Sequence, residues 1–347
     1  MGTDFNDSDS PVLGLVAGLA AGVVGAWAMT EFQNLLARGN ITSGVSGTPS
    51  TEKAADRFSI LASGRPLGRS VRPAGGEAVH YAFGGLVGAL YGMAAEIEPR
   101  VKAGQGAAFG VVAATVVDET LVPAMKLGDP VWKAPVVSHP YSYASHTVFG
   151  TATEAARKFF RRFFGDVKAG VQVLQQGETP EPLPTEGPGR WRTLRLAFLL
   201  GATAGPRTSA PLATISWAAR LGLVDLKDSK LEMLARPKAV WVTTPMALGE
   251  LVADKLPSTP SRTEPGGVAA RVATGALSGA ALAGGKSAEA ALAGAVGALA
   301  ATYLGYTIRT RVSKAIGRDW PIAGAEDILA FGGAALVCLA ALAPRKT

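Results

Sequence analysis

The sequence predicts an all-α protein, a polytopic transmembrane helical bundle of about nine spans in two modules, four plus five. Apolar residues make up 48% of the 347 residues and charged residues only 18%, and the mean hydropathy is +0.23. Several stretches with almost no charge approach the ~20 residues that a helix needs to cross a bilayer. They also lack the charged stripe that is typical of surface helices in soluble proteins.

The predicted spans follow one another along the chain, and many are rich in glycine and alanine. They lie at Pro11–Leu36, Ala78–Ala95, Gly104–Met125 and Tyr141–Phe160 in the first module, and at Leu194–Leu221, Lys238–Leu256, Gly266–Gly284, Ala288–Ile308 and Trp320–Leu342 in the second. Such segments are only marginally lipophilic, so we expect them to pack against other helices. Glycines at four-residue spacing predict a close approach of two backbones, at Gly14, Gly18 and Gly22 and at Gly84, Gly88 and Gly92.

A proline-rich segment separates the two modules. Residues 175–190 contain the run Glu-Thr-Pro-Glu-Pro-Leu-Pro-Thr-Glu-Gly-Pro-Gly, which is typical of a stiff, extended linker. We therefore expect a first module at residues 1–165, a polar linker at 166–192 and a second module at 193–347. Just before the linker, Arg157–Phe164 alternates basic and aromatic pairs, and we expect this run to contact anionic lipid headgroups.

Composition and charge exclude several classes of function. Met1–Ser10 holds three Asp and no Lys or Arg, so it lacks the basic region of a signal peptide, and the first span is expected to be a retained anchor. Cys338 is the only cysteine, which excludes a disulfide framework and a thiolate zinc site. The net charge of +7 comes from basic residues beside apolar spans, so the bilayer rather than nucleic acid is the expected partner. A homo-oligomer is left open.

Acidic residues and histidines recur in a twofold pattern in the first module. An acid near the end of one span is followed by a histidine near the start of the next, at Glu31 and His80 and again at Asp118, Glu119 and His146. Because successive spans alternate in direction, these side chains are expected on one face of the membrane. The sequence leaves three roles open, which are binding of a transition metal ion, proton or ion handling, and hydrogen bonding of helix ends. His139, before Pro140, is expected in a loop.

Further motifs accompany this pattern, at Met29-Thr30-Glu31, in the His80–Gly92 stretch with its Leu-Tyr-Gly ending, at Asp118-Glu119 followed by Pro123, and around His146. On these motifs, residues 11–160 resemble the YagU-like family of bacterial inner-membrane proteins. The resemblance implies a membrane location and a link to acid tolerance, and it supplies no established chemistry. The run His-Pro-Tyr-Ser-Tyr-Ala-Ser-His at 139–146 departs from the family pattern.

The fifth predicted span is interrupted by prolines on both sides of Arg207. Proline removes a backbone donor and displaces a carbonyl, so the run Gly205–Pro211 predicts a broken helix of the kind that builds ion and substrate sites. An unpaired charge in lipid costs ~2.5 kcal/mol or more, and Glu250 is the expected mate of Arg207. The expected ion or solute pathway consists of Arg207, Glu250, Asp254, Lys255, Glu326 and Asp327. A structural ion-pair network at a helix break is the alternative.

The second module also carries signature motifs, Gly-x-Arg-x-x-x-Pro-Leu at Gly205–Leu212, Glu-x-x-Ala-Asp-Lys-x-Pro at Glu250–Pro257, a glycine-rich helix start at Pro265, and Glu326-Asp327. On these motifs, residues 194–343 resemble a second family of bacterial membrane proteins of unknown function. The resemblance implies a membrane location and no particular reaction. Pro206, directly before the arginine, departs from the bulkier residue expected there.

These observations favour a multi-pass protein of the bacterial inner membrane that handles or transports an ion, a proton or a small polar solute. One alternative is a structural or stress-related membrane protein. The other is a metal-binding membrane protein that uses Glu31, His80, Glu119 and His146, with a transition metal ion as its cofactor. An enzyme is not favoured, because the sequence has no Ser/His/Asp arrangement, no phosphate-binding glycine loop after a strand and no dinucleotide fingerprint.

Overall fold

The computed structural model of the chain describes residues 10–39, 48–254, 262–316 and 320–344. Helices account for 79% of the structure, and the described residues contain no strand, which confirms the predicted all-α class. The chain divides into a first unit, Met1–Phe164, and a second unit, Gly165–Thr347. Lys255, one of the predicted pathway residues, lies outside the described residues.

The helices that begin in the first unit are α1 (Pro11–Arg38), α2 (Ser50–Ser63), α3 (Arg72–Ile97), α4 (Ala107–Val116), the short α5 (Val122–Ala124) and α6 (Ser138–Gln176). A π-helical turn at Val117–Leu121 joins α4 to α5, and 3-10 turns lie at Pro99–Gly106 and Val131–Lys133. At the start of α1, the Ser10 hydroxyl accepts a hydrogen bond from the Leu13 N–H at 3.4 Å. Pro11 follows at a position where a missing N–H breaks no helical bond.

The two predicted glycine rows face each other where α1 and α3 pack antiparallel. A Cβ atom added to Gly18 would meet the backbone of Gly88, and one added to Gly22 would meet the backbone of Gly84. The two backbones are therefore in direct contact, as the glycine spacing predicts. Elsewhere in this unit, α4 approaches α6 in the same way, with Gly110 against the backbone of His146.

The helices that begin in the second unit are α7 (Arg190–Ala202), α8 (Ala210–Arg220), α9 (Pro237–Ala253), α10 (Pro265–Leu282), α11 (Ala288–Ile316) and α12 (Trp320–Ala341), with a 3-10 turn at Glu232–Ala235. Gly294 on α11 is the point where three helices meet. A Cβ on Gly201 of α7 would lie 2.6 Å from the Gly294 Cα, and one on Gly275 of α10 would lie 2.7 Å from the Gly294 carbonyl oxygen. Small residues thus set the distances between the helices of this unit as well.

The predicted fifth span is two helices rather than one. Helix α7 ends at Ala202 and α8 begins at Ala210, and residues 203–209 between them form turns. The predicted break is therefore confirmed, and it places Arg207 in irregular backbone between two helix ends.

Five helices are long and apolar enough to cross a membrane, at Pro11–Arg38, Arg72–Ile97, Pro99–Ala124, Ala288–Ser313 and Ile322–Ala341. These five lie among the described residues, and the predicted number of nine spans is not confirmed. The broken span explains part of the difference, since α7 has 13 residues and α8 has 11, each short of the ~20 needed to cross alone. Helix α6 continues to Gln176, so the non-helical part of the predicted linker is residues 177–189.

Candidate functional site

Arg207 lies in the helix break of the second unit and is 1% exposed. Its Nε donates to Asp327 Oδ1 on α12 at 2.5 Å, and its Nη1 forms an ion pair with Asp254 Oδ2 at the end of α9. Two carboxylates thus neutralise one buried guanidinium, which is the arrangement that a buried charge requires. The third nitrogen, Nη2, is buried and has no hydrogen-bond partner in the described part of the chain.

The ion pairs of Arg207 continue into a longer network. Asp254 Oδ2 also accepts from Arg309 Nη1 on α11 at 3.0 Å, and the same nitrogen lies 3.0 Å from Glu326 Oε2. Arg262, shortly before α10, binds Glu326 through two parallel hydrogen bonds of 2.9 and 3.0 Å. Acidic and basic groups alternate along this charge network, which consists of Asp327, Arg207, Asp254, Arg309, Glu326 and Arg262.

Glu250 has a different role from the one that the sequence predicts. It is not bonded to Arg207, but accepts the backbone N–H groups of Thr208 and Ser209 at 2.7 and 2.8 Å and the Ser209 hydroxyl at 2.5 Å. The reason is that the N–H groups of Thr208 and Ser209, directly before α8, have no partner within that helix and lie at its positive end, so they compete for a carboxylate. The prediction of Glu250 as the mate of Arg207 is therefore wrong, and Asp254, one turn further along α9, is that mate.

Three arginines of this region were not expected from the sequence. Arg262 and Arg309 belong to the charge network, and Arg271 on α10 is buried beside it. Arg271 donates to the carbonyls of Gly205 and Gly267, each at 3.1 Å, and so satisfies an acceptor that the helix break leaves open. A lone charge inside the apolar Gly266–Gly284 stretch was the available signal for Arg271.

In the first unit, two acids pair with two histidines across the π-helical turn. Glu119 Oε1 lies 2.7 Å from His139 Nδ1, and Asp118 Oδ2 lies 3.6 Å from His146 Nδ1. The Ser142 hydroxyl donates to Asp118 Oδ2 at 2.5 Å. π-Helical turns occur often at functional sites, because the extra residue re-aims side chains. His139 was expected in a loop, but it lies in the first turn of α6 and forms one of these pairs.

The five predicted metal ligands are not gathered into one group. His80 Nε2 lies 3.2 Å from the carbonyl oxygen of Ala26, so this nitrogen bonds to the backbone of α1. Glu31 is half-buried on the same helix. Among the described residues, no three His, Cys, Asp or Glu side chains are arranged to hold a metal ion. Within the predicted set only Asp118 and His146 are shown as a pair, and the metal site stays a prediction.

A second buried cluster of the first unit lies near the other end of α3. Glu154 on α6 is 1% exposed and accepts from Arg157 Nε at 2.7 Å and from the Tyr91 hydroxyl at 2.9 Å. Arg157 Nη1 also donates to Glu96 at 3.1 Å, and Arg161 Nε lies 3.1 Å from the same carboxylate oxygen. Arg157 was expected to face lipid headgroups with the rest of Arg157–Phe164, but it is buried here because Glu154, one turn earlier, binds it.

Apolar helices with ion pairs buried among them define a multi-pass, all-α protein of the membrane class. Residues 69–155 match the family model described as a protein of unknown function, DUF1440, which is the YagU-like family. Residues 194–345 match the model described as a domain of unknown function, DUF4126. The two matches confirm both predicted resemblances and the division into two modules. The comparisons with curated proteins and with solved structures give no match.

Proposed function

We propose that the second unit handles or transports an ion, a proton or a small polar solute across the inner membrane of a bacterium. The observation that carries this proposal is the position of Arg207, buried at a helix break and paired with two carboxylates of a continuous charge network. Broken helices of this kind form substrate and ion sites in many transporters, because their free helix ends point dipoles at the ligand.

The charge network is a costly way to hold helices together. Moving a charged side chain out of water costs several kcal/mol, and apolar residues of similar size would often give equal or greater stability. Charged residues inside apolar helices are for this reason commonly functional. Arg207 and Asp254 are therefore better explained by a task that needs their charge than by packing alone.

Asp254 is the group at which we expect the network to rearrange. It is shared by Arg207 and Arg309, so a proton or cation bound there would weaken two ion pairs at once. Nη2 of Arg207, which has no hydrogen-bond partner among the described residues, marks a place where water or a polar solute would complete the hydrogen bonding. Loss and recovery of these pairs gives the site two arrangements, which is the minimum that alternating access requires.

The test is flux through purified protein in liposomes, with imposed gradients of protons, potassium and chloride as probes. We expect Asp254→Asn and Asp327→Asn each to reduce the flux that wild type shows, while Glu232→Gln, on an exposed 3-10 turn, leaves it unchanged. Normal flux in both network variants would reject the proposal. A loss of flux that only follows a loss of folded protein would favour the structural alternative.

The paired acids and histidines of the first unit support a second candidate function, proton handling at the π-helical turn. Carboxylate and imidazole groups both bind and release protons, and Glu119 with His139 and Asp118 with His146 bring two such pairs together at this turn. The competing role is the binding of a transition metal ion by the five predicted ligands, which include Glu31 and His80.

Elemental analysis of protein purified without chelators separates these two roles. Proton handling predicts no stoichiometric metal in the wild type or in the double variant His80→Ala/His146→Ala. About one metal ion per chain, lost in that variant, would reject proton handling and establish a metal site.

A further inference from the structure

Helix α2 presents an apolar face that none of the described residues of its unit covers. Its inner face packs on the start of α3, with Ala55 buried and Asp56 bound to Arg72 Nε at 2.8 Å. On the opposite face, the positions of Ala54, Phe58 and Leu61 follow the i, i+4, i+7 spacing of one helical stripe. Phe58 is 61% exposed and Leu61 is 83% exposed.

The segment before α6 adds to this apolar face. Trp132 is 83% exposed and Val136 is 85% exposed. Arg57 of α2 holds this segment against the helix, because its guanidinium donates to the carbonyl of Met125 and, at 3.1 Å, to that of Lys126. Arg57 thus joins the two segments that expose these side chains, and Phe58, Leu61, Trp132 and Val136 are called the apolar patch below.

The position of the apolar patch in the chain places it beside the membrane. Residues 48–71 lie between α1 and α3 in the chain, and residues 125–137 connect α5 to α6. Both segments therefore lie where apolar helices end. They are also basic, with Lys53, Arg57, Arg65, Arg69, Lys126 and Lys133 against Glu52, Asp56 and Asp129. Exposed apolar side chains beside basic ones match the boundary between acyl chains and anionic headgroups.

We propose that α2 lies in the plane of the membrane and inserts the apolar patch into a bilayer that contains anionic lipids. A lipid surface is favoured over a protein partner because the patch continues from the ends of membrane-spanning helices and has a basic rim. Lys53 lies beside the apolar stripe on α2, so its long stem reaches along the stripe while its charge stays at the headgroups. Trp132 has the amphipathic ring that is common at this depth. This inference is independent of transport by the second unit.

The test uses nitroxide labels on single cysteines, since Cys338 is the only native cysteine. In a Cys338→Ala background, labels are placed at Leu61→Cys and Trp132→Cys in liposomes that contain phosphatidylglycerol. Control labels at Leu19→Cys on α1 and at Glu178→Cys in the linker represent lipid and water, respectively. Collision rates with oxygen, which dissolves in lipid, and with a water-soluble nickel complex then give the depth of each label.

We expect the labels at Leu61 and Trp132 to collide more with oxygen than with nickel, as for a group about 5–10 Å below the headgroup boundary. The Glu178 label should show the reverse. Nickel collisions at Leu61 and Trp132 as frequent as at Glu178 would overturn the proposal, because the patch would then be in water. Low collision rates with both reagents would also overturn it, because a second protein surface would then cover the patch.

Discussion

At the scale of single residues, two carboxylates that lie one helical turn apart have different roles. Glu250 and Asp254 are four residues apart at the end of α9, and yet the first caps α8 while the second neutralises Arg207. The cap fixes the backbone of Thr208 and Ser209, which directly follow the arginine. Glu250 therefore contributes to the charge network by positioning Arg207, and not by contact with it.

This role predicts a specific effect of Glu250→Gln. The amide has one oxygen instead of two, so in either orientation its NH2 group opposes the N–H of Thr208 or of Ser209. Loss of these charge-assisted bonds should cost about 1–3 kcal/mol, measured as a lower melting temperature in detergent. Glu232→Gln is the matched control and should melt as wild type does. A Glu250→Gln protein that melts with the wild type would show that the cap is not needed.

The paired side chains are also the part of the site that the sequence could predict least. Alternation of span direction correctly places acids near Arg207, but it cannot choose between Glu250 and Asp254, which share a helical face. The choice depends on the N–H groups of Thr208 and Ser209, which have no partner within a helix and donate to Glu250 only because the helix breaks at residues 203–209. Asp118 and Glu119 depend in the same way on a π-helical turn, which has no clear sequence signal.

At the scale of helices, the packing of α1 on α3 is set by glycine. The rows of glycines at four-residue spacing could be predicted from the sequence, because each row is a local pattern that repeats with the helical period. Helix α2 was missed, because its mixture of charged and apolar residues resembles neither a span nor a proline-rich connection. The apolar stripe of α2 can be interpreted only when α3 is known to cover the opposite face of the helix.

Close packing at this interface makes Gly88→Ala a severe substitution. The added Cβ would lie 2.5 Å from the Gly18 carbonyl oxygen and 2.5 Å from the Gly22 Cα, and backbone cannot move aside as a flexible side chain can. Overpacking of this kind costs about 1–3 kcal/mol or more. We expect a lower yield of folded protein and a lower melting temperature in detergent.

Gly332→Ala on α12 is the control for that substitution, because no atom of the described residues lies within 4 Å of its added Cβ. Alanine is the better helix former by up to about 1 kcal/mol, so this variant should be as stable as the wild type or more so. Equal stability of the two variants would show that the contact between the glycine rows is not close in solution.

At the scale of the whole molecule, two family-sized modules lie on one chain, and α6 has residues in both units. Its part after Phe164 belongs to the second unit. There Asp166 Oδ2 lies 3.5 Å from Arg192 Nε and 3.3 Å from Arg195 Nη2, and Gly170 packs on the backbone of Leu339. The proline-rich run predicts a module boundary at the linker, whereas the two units divide within α6, at Phe164 and Gly165, and sequence alone could not show that the end of this helix docks onto the helices after it.

This docking predicts that the chain remains together when the linker is cut. A protease site inserted between Glu178 and Thr179 separates α6 from α7 covalently, while the contacts of Asp166 and Gly170 remain. Because these contacts are in the second unit, we expect the two fragments to co-purify after cleavage in detergent. The substitution Gly170→Leu should release them, since a larger side chain collides with the Leu339 backbone, and the same substitution at the exposed Gly177 should not. Fragments that separate without any substitution would show that the linker alone joins the modules.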